Sequence, residues 1–398
     1  VYVMWISWLL WMIVMTRQVL FGVRPAFGWF MKDLFWINWL HKRLGVWTLM
    51  ALIFHPLAVV ISYSTTWLYV FVPDFSSSFE VWVSLGKIAL DLLLVILVTS
   101  VIARKLMSYR TWHWVHLLSY PAFIAVWLHG WNAGTMIAMY PAVKRYRIWI
   151  WVVLGVATLA RIAYQFGFLK HQAKVINHEK ITDDVYEIHL QLPHGISYTP
   201  GQFAYLQIKR WGESHPLTIL RYDSEKKVII FAYKVVGRFT SHLAEQTEKW
   251  VWNIMFLDGP YGVFTSEVAH EDVPVVCIAS WIGITPFYEL IRNYGSTRTL
   301  KLFYLNQTRE TTSYKQDIDA QLCHECIHVL SREQAALAEN EIVWTRLSKE
   351  ILEEEIGDII WNARFYICGG GGVIVAVRDM LVSLGVSPKR IDREPFAL

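Results

Sequence analysis

The sequence has few charged residues and few cysteines for its length. Of 398 residues, 18% are Asp, Glu, Lys or Arg, and the formal net charge is only +4. No basic block accompanies this small excess, so nothing predicts nucleic-acid binding, and no obligatory protein partner is evident. The four cysteines, Cys277, Cys323, Cys326 and Cys368, all lie in the soluble part, which fits reduced thiols in a cytosolic domain better than a disulfide framework.

Apolar residues are in excess, and they are unevenly distributed. The chain is 55% hydrophobic with 21 Trp. Residues 1–167 hold long apolar runs, whereas residues 168–398 have the mixed charge of an ordinary soluble protein. About 20 helical residues cross the ~30 Å hydrocarbon layer of a bilayer, so the runs predict membrane spans. These predicted spans are 1–15, 41–62, 84–103, 112–131 and 147–166.

Basic residues between the spans indicate the orientation. They cluster between the first two spans and again around Arg104–Arg110, whereas the loop "STTWLYVFVPDFSSSFE" has none. By the positive-inside rule, the basic connections face the cytoplasm and this loop faces out, although Lys144, Arg145 and Arg147 depart from the rule. We expect a plasma-membrane protein with a cytoplasmic soluble part. The first span would then begin outside, so we expect one further N-terminal span, six in all, rather than a signal peptide.

Two of the spans each carry a pair of histidines. His41 and His55 are 14 residues apart, a rise of about 21 Å that returns to within about 40° of the same helix face. His116 and His129 are 13 apart and would be roughly 140° out of phase on an ideal helix, although Pro121 between them can distort it. Ionisable groups inside a span are costly and usually functional.

Depth in the membrane pairs these histidines across the two spans. Both spans run from the cytoplasm outwards, so His41 matches His116 and His55 matches His129. Haem commonly takes axial histidine, so the pattern predicts two stacked b-type haems. The alternative is that each histidine is a hydrogen-bonded packing residue.

Three other side chains bear on this prediction. Phe123 lies midway in depth and is the candidate to fill the space between the haems, with Tyr120 as its rival. His113 lies three residues before His116 and is an alternative ligand.

The soluble part changes pattern near residue 270. Before it, alternating stretches such as "VYEIHLQL" and "VIIFAYKVV" predict a small antiparallel barrel. After it, "VPVVCIAS", "TLKLFYLN", "CIHVLS" and "RFYICGG" alternate with helix-like segments, which predicts a parallel sheet. Ligands on such sheets bind beyond the carboxyl ends of the strands.

Short motifs follow in order along both parts. They are "PGQFAYLQI" (200–208), "HPLTI" (215–219), "GRFT" (237–240), "DGPYG" (258–262), "GITPF" (283–287), "SREQ" (331–334) and "CGGGG" (368–372). This order resembles the ferredoxin–NADP reductase superfamily. Joined to the histidine pairs, it resembles the NADPH oxidase and ferric reductase transmembrane superfamily, most closely the bacterial NADPH oxidases.

The resemblance implies a multi-domain fold. An α-helical transmembrane haem bundle (1–167) would precede an antiparallel β-barrel FAD domain (168–270) and an α/β NAD(P)H-binding domain (271–398). The implied cofactors are FAD, two b-type haems, and NADPH or NADH as electron donor.

The resemblance also implies site residues for the flavin. Thr218 would bond the isoalloxazine near its reactive nitrogen, and Phe396 would cover the ring and swing aside for nicotinamide. Leu217 stands where the family has an aromatic. The implied flavin contacts are Gln202, Phe203, His215, Pro216, Leu217, Thr218, Gly237, Phe239 and Thr240.

For the nucleotide, the resemblance implies a phosphate turn at Gly283, Thr285 and Pro286. Ser280 and Trp281 replace the usual glycines, so we expect a narrowed cleft. Ser331 and Arg332 would hold the 2′-phosphate of NADPH, and Cys368 and Gly369 would lie beside the nicotinamide. In "CHECIH" (323–328) we expect no zinc site, because strand alternation should separate the side chains.

The implied activity is electron transfer from cytosolic NADPH through FAD and haem to extracellular dioxygen, giving superoxide. A ferric-chelate reductase with the same electron path remains an alternative. So does a non-catalytic haem-binding or haem-transport protein with a degenerate flavin domain.

Overall fold

The computed structural model describes most of the chain. The described residues are 13–14, 16–18, 20–22, 33–133, 141–210, 212–245, 247–322 and 325–395. They divide into two compact units, whose boundary in the sequence falls between Ile162 and Ala163. The first unit is helical, and the second contains two β-sheets with helices.

Long apolar helices dominate the first unit. They are α1 (Leu34–Tyr63), α2 (Trp67–Phe71), α3 (Ser78–Leu97), α4 (Tyr109–His116), α5 (Ser119–Asn132) and α6 (Pro141–Gln165). Within the described residues, three stretches are long and apolar enough to cross a membrane: Trp36–Tyr63, Ser78–Leu106 and Pro141–Tyr164. They correspond to the predicted spans 41–62, 84–103 and 147–166. The predicted span 1–15 lies almost wholly outside the described residues.

The prediction of one continuous span over 112–131 is wrong. The helix breaks between α4 and α5 at Leu117 and Leu118. Pro121 has no amide proton to give to the Leu117 carbonyl, which accepts instead from the amide of Tyr120 at 3.1 Å. This tighter turn interrupts the regular helix between His116 and His129, so the phase of an ideal helix does not apply to the second histidine pair.

The loop that the sequence places outside is tied to α3. The amide and carbonyl of Asp74 both bond the Ser84 hydroxyl at 2.7 Å. The Lys87 ammonium is buried, donates to the Val72 carbonyl at 3.1 Å and lies 3.7 Å from the centre of the Tyr69 ring. The loop, including α2, is therefore an ordered cover over this end of the helices.

The second unit begins with a closed antiparallel barrel, as the alternating pattern predicts. Its strands are β1 (His171–Lys180), β2 (Val185–Gln191), β3 (Phe203–Gln207), β4 (His215–Asp223), β5 (Val228–Lys234) and β6 (Ile254–Tyr261). Their order around the barrel is β1-β2-β5-β4-β3-β6, with α7 (Arg238–Ala244) and α8 (Thr247–Trp250) between β5 and β6. The inward positions, among them Ile188, Leu206 and Phe231, are fully buried.

A parallel six-stranded sheet follows, also as the pattern predicts. Its strands are β7 (Val275–Ser280), β8 (Leu300–Asn306), β9 (Cys326–Leu330), β10 (Glu341–Val343), β11 (Arg364–Gly369) and β12 (Ile391–Pro395). The helices between them are α9 (Thr285–Tyr294), α10 (Lys315–Leu322), α11 (Lys349–Ile356) and α12 (Gly371–Ser383). The order β10-β9-β8-β7-β11-β12 places β8 on one side of β7 and β11 on the other. Ligands bind where strand order reverses in this way, which here is at the carboxyl ends of β7 and β11.

Candidate functional site

The structure brings the four histidines together in the two pairs that depth matching indicates. The ring centres of His41 and His116 are 6.2 Å apart, and those of His55 and His129 are 6.4 Å apart. An imidazole nitrogen binds a metal at about 2 Å with the ring centre about 1.1 Å behind it, so two rings on one iron have centres about 6.3 Å apart. Both pairs therefore have the separation that a bis-histidine iron requires.

Hydrogen bonds fix the orientation of one histidine in each pair. His129 donates from Nδ1 to the Trp82 carbonyl at 3.0 Å, which leaves Nε2 with a lone pair for a metal. The Nδ1 of His116 lies 3.3 Å from the Ser100 hydroxyl, which also accepts from the indole N–H of Trp112 at 3.2 Å. Ser100 lies in a short π-helix, Val98–Ile102, that continues α3. One continuous stretch of chain thus orients both histidines.

The alternative ligand His113 is exposed, whereas His116 is half-buried and faces His41. Phe123 packs against both apolar clusters of the helices, one containing Leu90 and the other Ile150. Its rival Tyr120 instead lies under the Arg161 guanidinium, 5.2 Å from the ring centre. His116 is thus the histidine that pairs with His41, and Phe123 lies among the apolar side chains of the helices.

An apolar cavity of about 100 Å³ lies at the His55 and His129 pair. Gly86 forms part of its wall, and a Cβ on Gly86 would lie 2.8 Å from the His129 ring. The ring separation, and not the cavity volume, is the feature that fits a haem at this level, because cofactor pockets are typically about 300–1,000 Å³. Sequence reasoning missed Gly86, Trp82 and Ser100, because none of them carries a signal by type alone.

In the barrel, the predicted flavin motifs lie on adjacent strands. Strand pairing sets Phe203 of β3 opposite Thr218 of β4. Within the described residues Thr218 makes no side-chain hydrogen bond, so its half-buried hydroxyl is available to a ligand. Phe239 stacks on His215 with ring centres 4.0 Å apart, and burial lowers the pKa of His215 against the opposing influence of the nearby Glu213 carboxylate.

Other predicted flavin residues have local structural contacts. Gln202 is buried, accepts from the Thr199 amide at 3.0 Å and donates to the Gly262 carbonyl at 3.1 Å. The Thr240 hydroxyl accepts from the Gly237 amide at 3.1 Å. These side chains therefore shape the flavin loops rather than reach out of them. Pro216 is exposed, and Leu217 packs against the barrel core.

At the reversal of strand order, β7 and β11 end in close contact. A Cβ on Gly369 would lie 2.1 Å from the Ser280 hydroxyl oxygen, so only glycine fits there. Cys368 is buried, and burial raises the pKa of its thiol well above the ordinary value. Gly370 and Gly371, where α12 begins, face open space. The edge thus has the open, glycine-lined form of a phosphate-binding turn.

The predicted phosphate residues flank this edge. Gly283 and Thr285 are buried in the turn that opens α9, with Pro286 next to them in its first turn. The Thr285 hydroxyl donates to the Ile282 carbonyl at 3.0 Å, and the Thr285 amide donates to the same carbonyl.

Ser331 and Arg332 follow β9. Their amides bond the carbonyls of Asn306 and Gln307 at 3.0 and 2.8 Å, and the Arg332 side chain is exposed. Phe396 lies outside the described residues.

Trp281 is the unusual residue of this edge. Its φ of +52° lies in the left-handed region, where glycine is the unstrained residue. Its half-exposed indole lies 4.9 Å from the ammonium of Lys234, which belongs to β5 of the barrel. The side chain thus links the nucleotide sheet to the flavin barrel beside the glycine turn.

Glu394 is a site residue that sequence reasoning missed. It pairs with Cys368 in the β11–β12 register, and its Oε2 is buried without a hydrogen-bond partner among the described residues. Burial raises the pKa of Glu394 to about 7. Its buried orphan oxygen, like that of Ser280, indicates that a ligand completes the site.

The raised pKa of Glu394 makes stability depend on pH. The folded state holds a proton that the unfolded state has already released, so stability falls as pH rises toward and through about 7. We expect Glu394→Gln to melt at the parent temperature at pH 5.5 and several degrees higher at pH 8, a difference of about 2 kcal/mol. Thermal unfolding at both pH values measures this. If the melting temperatures of Glu394→Gln and the parent differed by the same amount at pH 5.5 and pH 8, the raised pKa of Glu394 would be contradicted.

The fold and these sites define a flavin-dependent, NAD(P)H-driven electron-transfer module. A family of FAD-binding domains matches residues 165–265. The reductase component of the naphthalene 1,2-dioxygenase system of Pseudomonas putida is 23% identical over 57% of this chain and 70% of its own length.

Three further comparisons cover different shares of the chain. Human NADPH oxidase 3 is 27% identical, over 36% of this chain and 27% of its own length. An uncharacterized protein of Clostridium beijerinckii is 29% identical, over 30% of this chain and 42% of its own length. The flavohemoglobin of Malassezia yamatoensis, solved with FAD and heme, shares the fold with a TM-score of 0.50 and 18% identity, over 82% of this chain and 90% of that one.

Proposed function

We propose that this chain is a transmembrane electron-transfer enzyme of the plasma membrane. It takes electrons from cytosolic NADPH through FAD and two b-type haems and delivers them to extracellular dioxygen, which yields superoxide. The observation that carries the proposal is the pair of histidine–histidine separations, 6.2 and 6.4 Å, within a helical unit that has three helices able to cross a membrane.

The position of each residue decides which cofactor it would hold. His41 with His116 would hold one haem, and His55 with His129 the other. Bound FAD would supply the exchange of a hydride for single electrons, and haem held by these histidines would supply single-electron transfer. The Trp82 carbonyl would fix the tautomer of His129, and the Ser100 hydroxyl would orient the His116 ring.

On the cytoplasmic side, the Thr218 hydroxyl would contact the flavin, and the Ser280–Gly369 contact would hold the nicotinamide end of the nucleotide. Arg332 is exposed beyond β9 and can hold a 2′-phosphate, which favours NADPH over NADH. An inside-negative membrane potential assists outward electron movement by about 2.3 kcal/mol per 100 mV.

Dioxygen is the favoured acceptor because the ordered loop covers the His55 and His129 end. Asp74, Lys87 and Tyr69 tie this loop to α3, which leaves little room for a large chelate. Two histidines on one iron leave no open coordination position, so the acceptor would take its electron without binding iron.

The acceptor assay uses the purified full chain with FAD, NADPH and cytochrome c. We expect reduction of cytochrome c that superoxide dismutase abolishes, and loss of that activity in His116→Leu but not in its neighbour His113→Leu. Reduction of a ferric chelate that ignores dismutase and oxygen removal would instead establish the reductase. Bound haem with no FAD-dependent NADPH oxidation would establish a haem-binding protein.

A further inference from the structure

A cluster of three potential metal ligands lies in the nucleotide-binding sheet, away from the strand ends that form the proposed nucleotide site. Cys326 and His328 lie two residues apart on β9, so their side chains share one face of the sheet. The expectation that strand alternation separates the side chains of "CHECIH" is therefore wrong for this pair. Asp319 of α10 packs onto the same face, and the three ligand atoms lie within 4.8 Å of one another.

The distances suit a tetrahedral cation with mixed ligands. The Cys326 sulfur lies 3.5 Å from His328 Nε2, and the Asp319 Oδ1 lies 2.7 Å from the same nitrogen. Zinc binds sulfur at about 2.3 Å and imidazole nitrogen at about 2.0 Å, so two such ligands at a tetrahedral angle lie about 3.5 Å apart. Oxygen and nitrogen ligands of a tetrahedral zinc lie about 3.3 Å apart, so the partly exposed Asp319 side chain would have to move its Oδ1 about 0.6 Å further from His328 Nε2.

The groups around the cluster also suit a cation. Lys315 bonds the other carboxylate oxygen of Asp319, Oδ2, at 2.8 Å, and so orients the carboxylate without occupying Oδ1. Glu341, whose carboxylate also accepts from Arg309 Nε at 3.0 Å, lies 3.7 Å from Lys315. Cys326 and His328 are fully buried, and Asp319, with 27% of its side chain exposed, lies on the entry side.

We propose that Asp319, Cys326 and His328 bind one zinc ion, with solvent completing the coordination. The ion would pin α10 to β9, the strand whose carboxyl end leads to Ser331 and Arg332. Its role is structural, and it is independent of the proposed electron path.

The test is elemental analysis of the purified, tag-free full chain after equilibration with zinc and gel filtration. We expect one zinc per chain, and none in Asp319→Asn or Cys326→Ser. Lys315→Met, which keeps all three ligands, should weaken binding by about tenfold to hundredfold. The control is Glu187→Gln, from a more exposed group of Glu179, Glu187 and His189, and it should keep one zinc.

Flavin absorbance and thermal unfolding show whether each variant is folded. Zinc should raise the melting temperature of the parent and not that of Asp319→Asn. Zinc retained in Asp319→Asn and Cys326→Ser, zinc lost in Glu187→Gln, or a parent that holds none would each overturn the proposal.

Discussion

Replacing Gly86 with valine is expected to remove one of two haems, although Gly86 is not a ligand. A Cβ there would lie 2.8 Å from the Cγ and Nδ1 of His129, inside ordinary contact distance. The ring must move, and in moving it loses its bond to the Trp82 carbonyl. Loss of such an orienting partner weakens metal binding by about tenfold to hundredfold. Haem content per chain, measured on purified protein, should fall from two to about one.

The matched control is Gly155→Val. Gly155 also lies in a long apolar helix, α6, but a Cβ there meets nothing within 4 Å. We expect this variant to keep two haems and the parent redox titration. Equal haem content in Gly86→Val and Gly155→Val would show that haem binding does not depend on the space around His129.

Replacing Trp281 with glycine is expected to lower the KM for NADPH about tenfold with kcat unchanged. The indole lies beside the glycine turn and contacts Lys234 of the barrel, so a nucleotide entering between the two must displace it. A cation–ring contact contributes about 0.5–2 kcal/mol, and 1.4 kcal/mol is a factor of ten in affinity. Steady-state kinetics with NADPH measure the change.

The free energy of unfolding should change little in Trp281→Gly, because the stabilising and destabilising contributions offset each other. Relief of the left-handed conformation contributes about 1–2 kcal/mol, whereas the flexibility of glycine and the lost contact with Lys234 each cost about 0.5–1 kcal/mol.

The matched control is Trp252→Gly. Trp252 also has a positive φ, +74°, and lies 4.3 Å from an ammonium, that of Lys174, but it lies on the barrel away from the nucleotide turn. Its KM should stay at the parent value. A KM that rises in Trp281→Gly would mean that the indole holds the nucleotide instead of obstructing it.

Much of the fold follows from local pattern. Alternation in "VYEIHLQL" and "VIIFAYKVV" correctly predicts β2 and β5 of a barrel, and the apolar runs correctly predict four strands of a parallel sheet. The spacing of apolar residues cannot predict the break before α5. The break arises because Pro121 lacks an amide proton, which changes the hydrogen bonding of the preceding turn.

The site residues that sequence reasoning missed act through tertiary contact. The Trp82 carbonyl orients His129, yet every residue has a carbonyl, so the sequence carries no sign of it. In the sequence Glu394 is simply a charged residue near the end of the chain. Its pKa is raised to about 7 because the fold buries it beside Cys368, which the sequence does not reveal. Asp319 joins Cys326 and His328 because α10 packs on β9, which spacing along the chain does not reveal.

The account depends on one chain that joins nucleotide, flavin and haem. The most direct measurement is an absorbance spectrum of the purified protein during anaerobic addition of NADPH, with and without added FAD. The account predicts bound haem that becomes fully reduced by NADPH only when FAD is present. Haem that stays oxidised while NADPH is consumed with FAD, or a preparation that binds FAD and no haem, would contradict it.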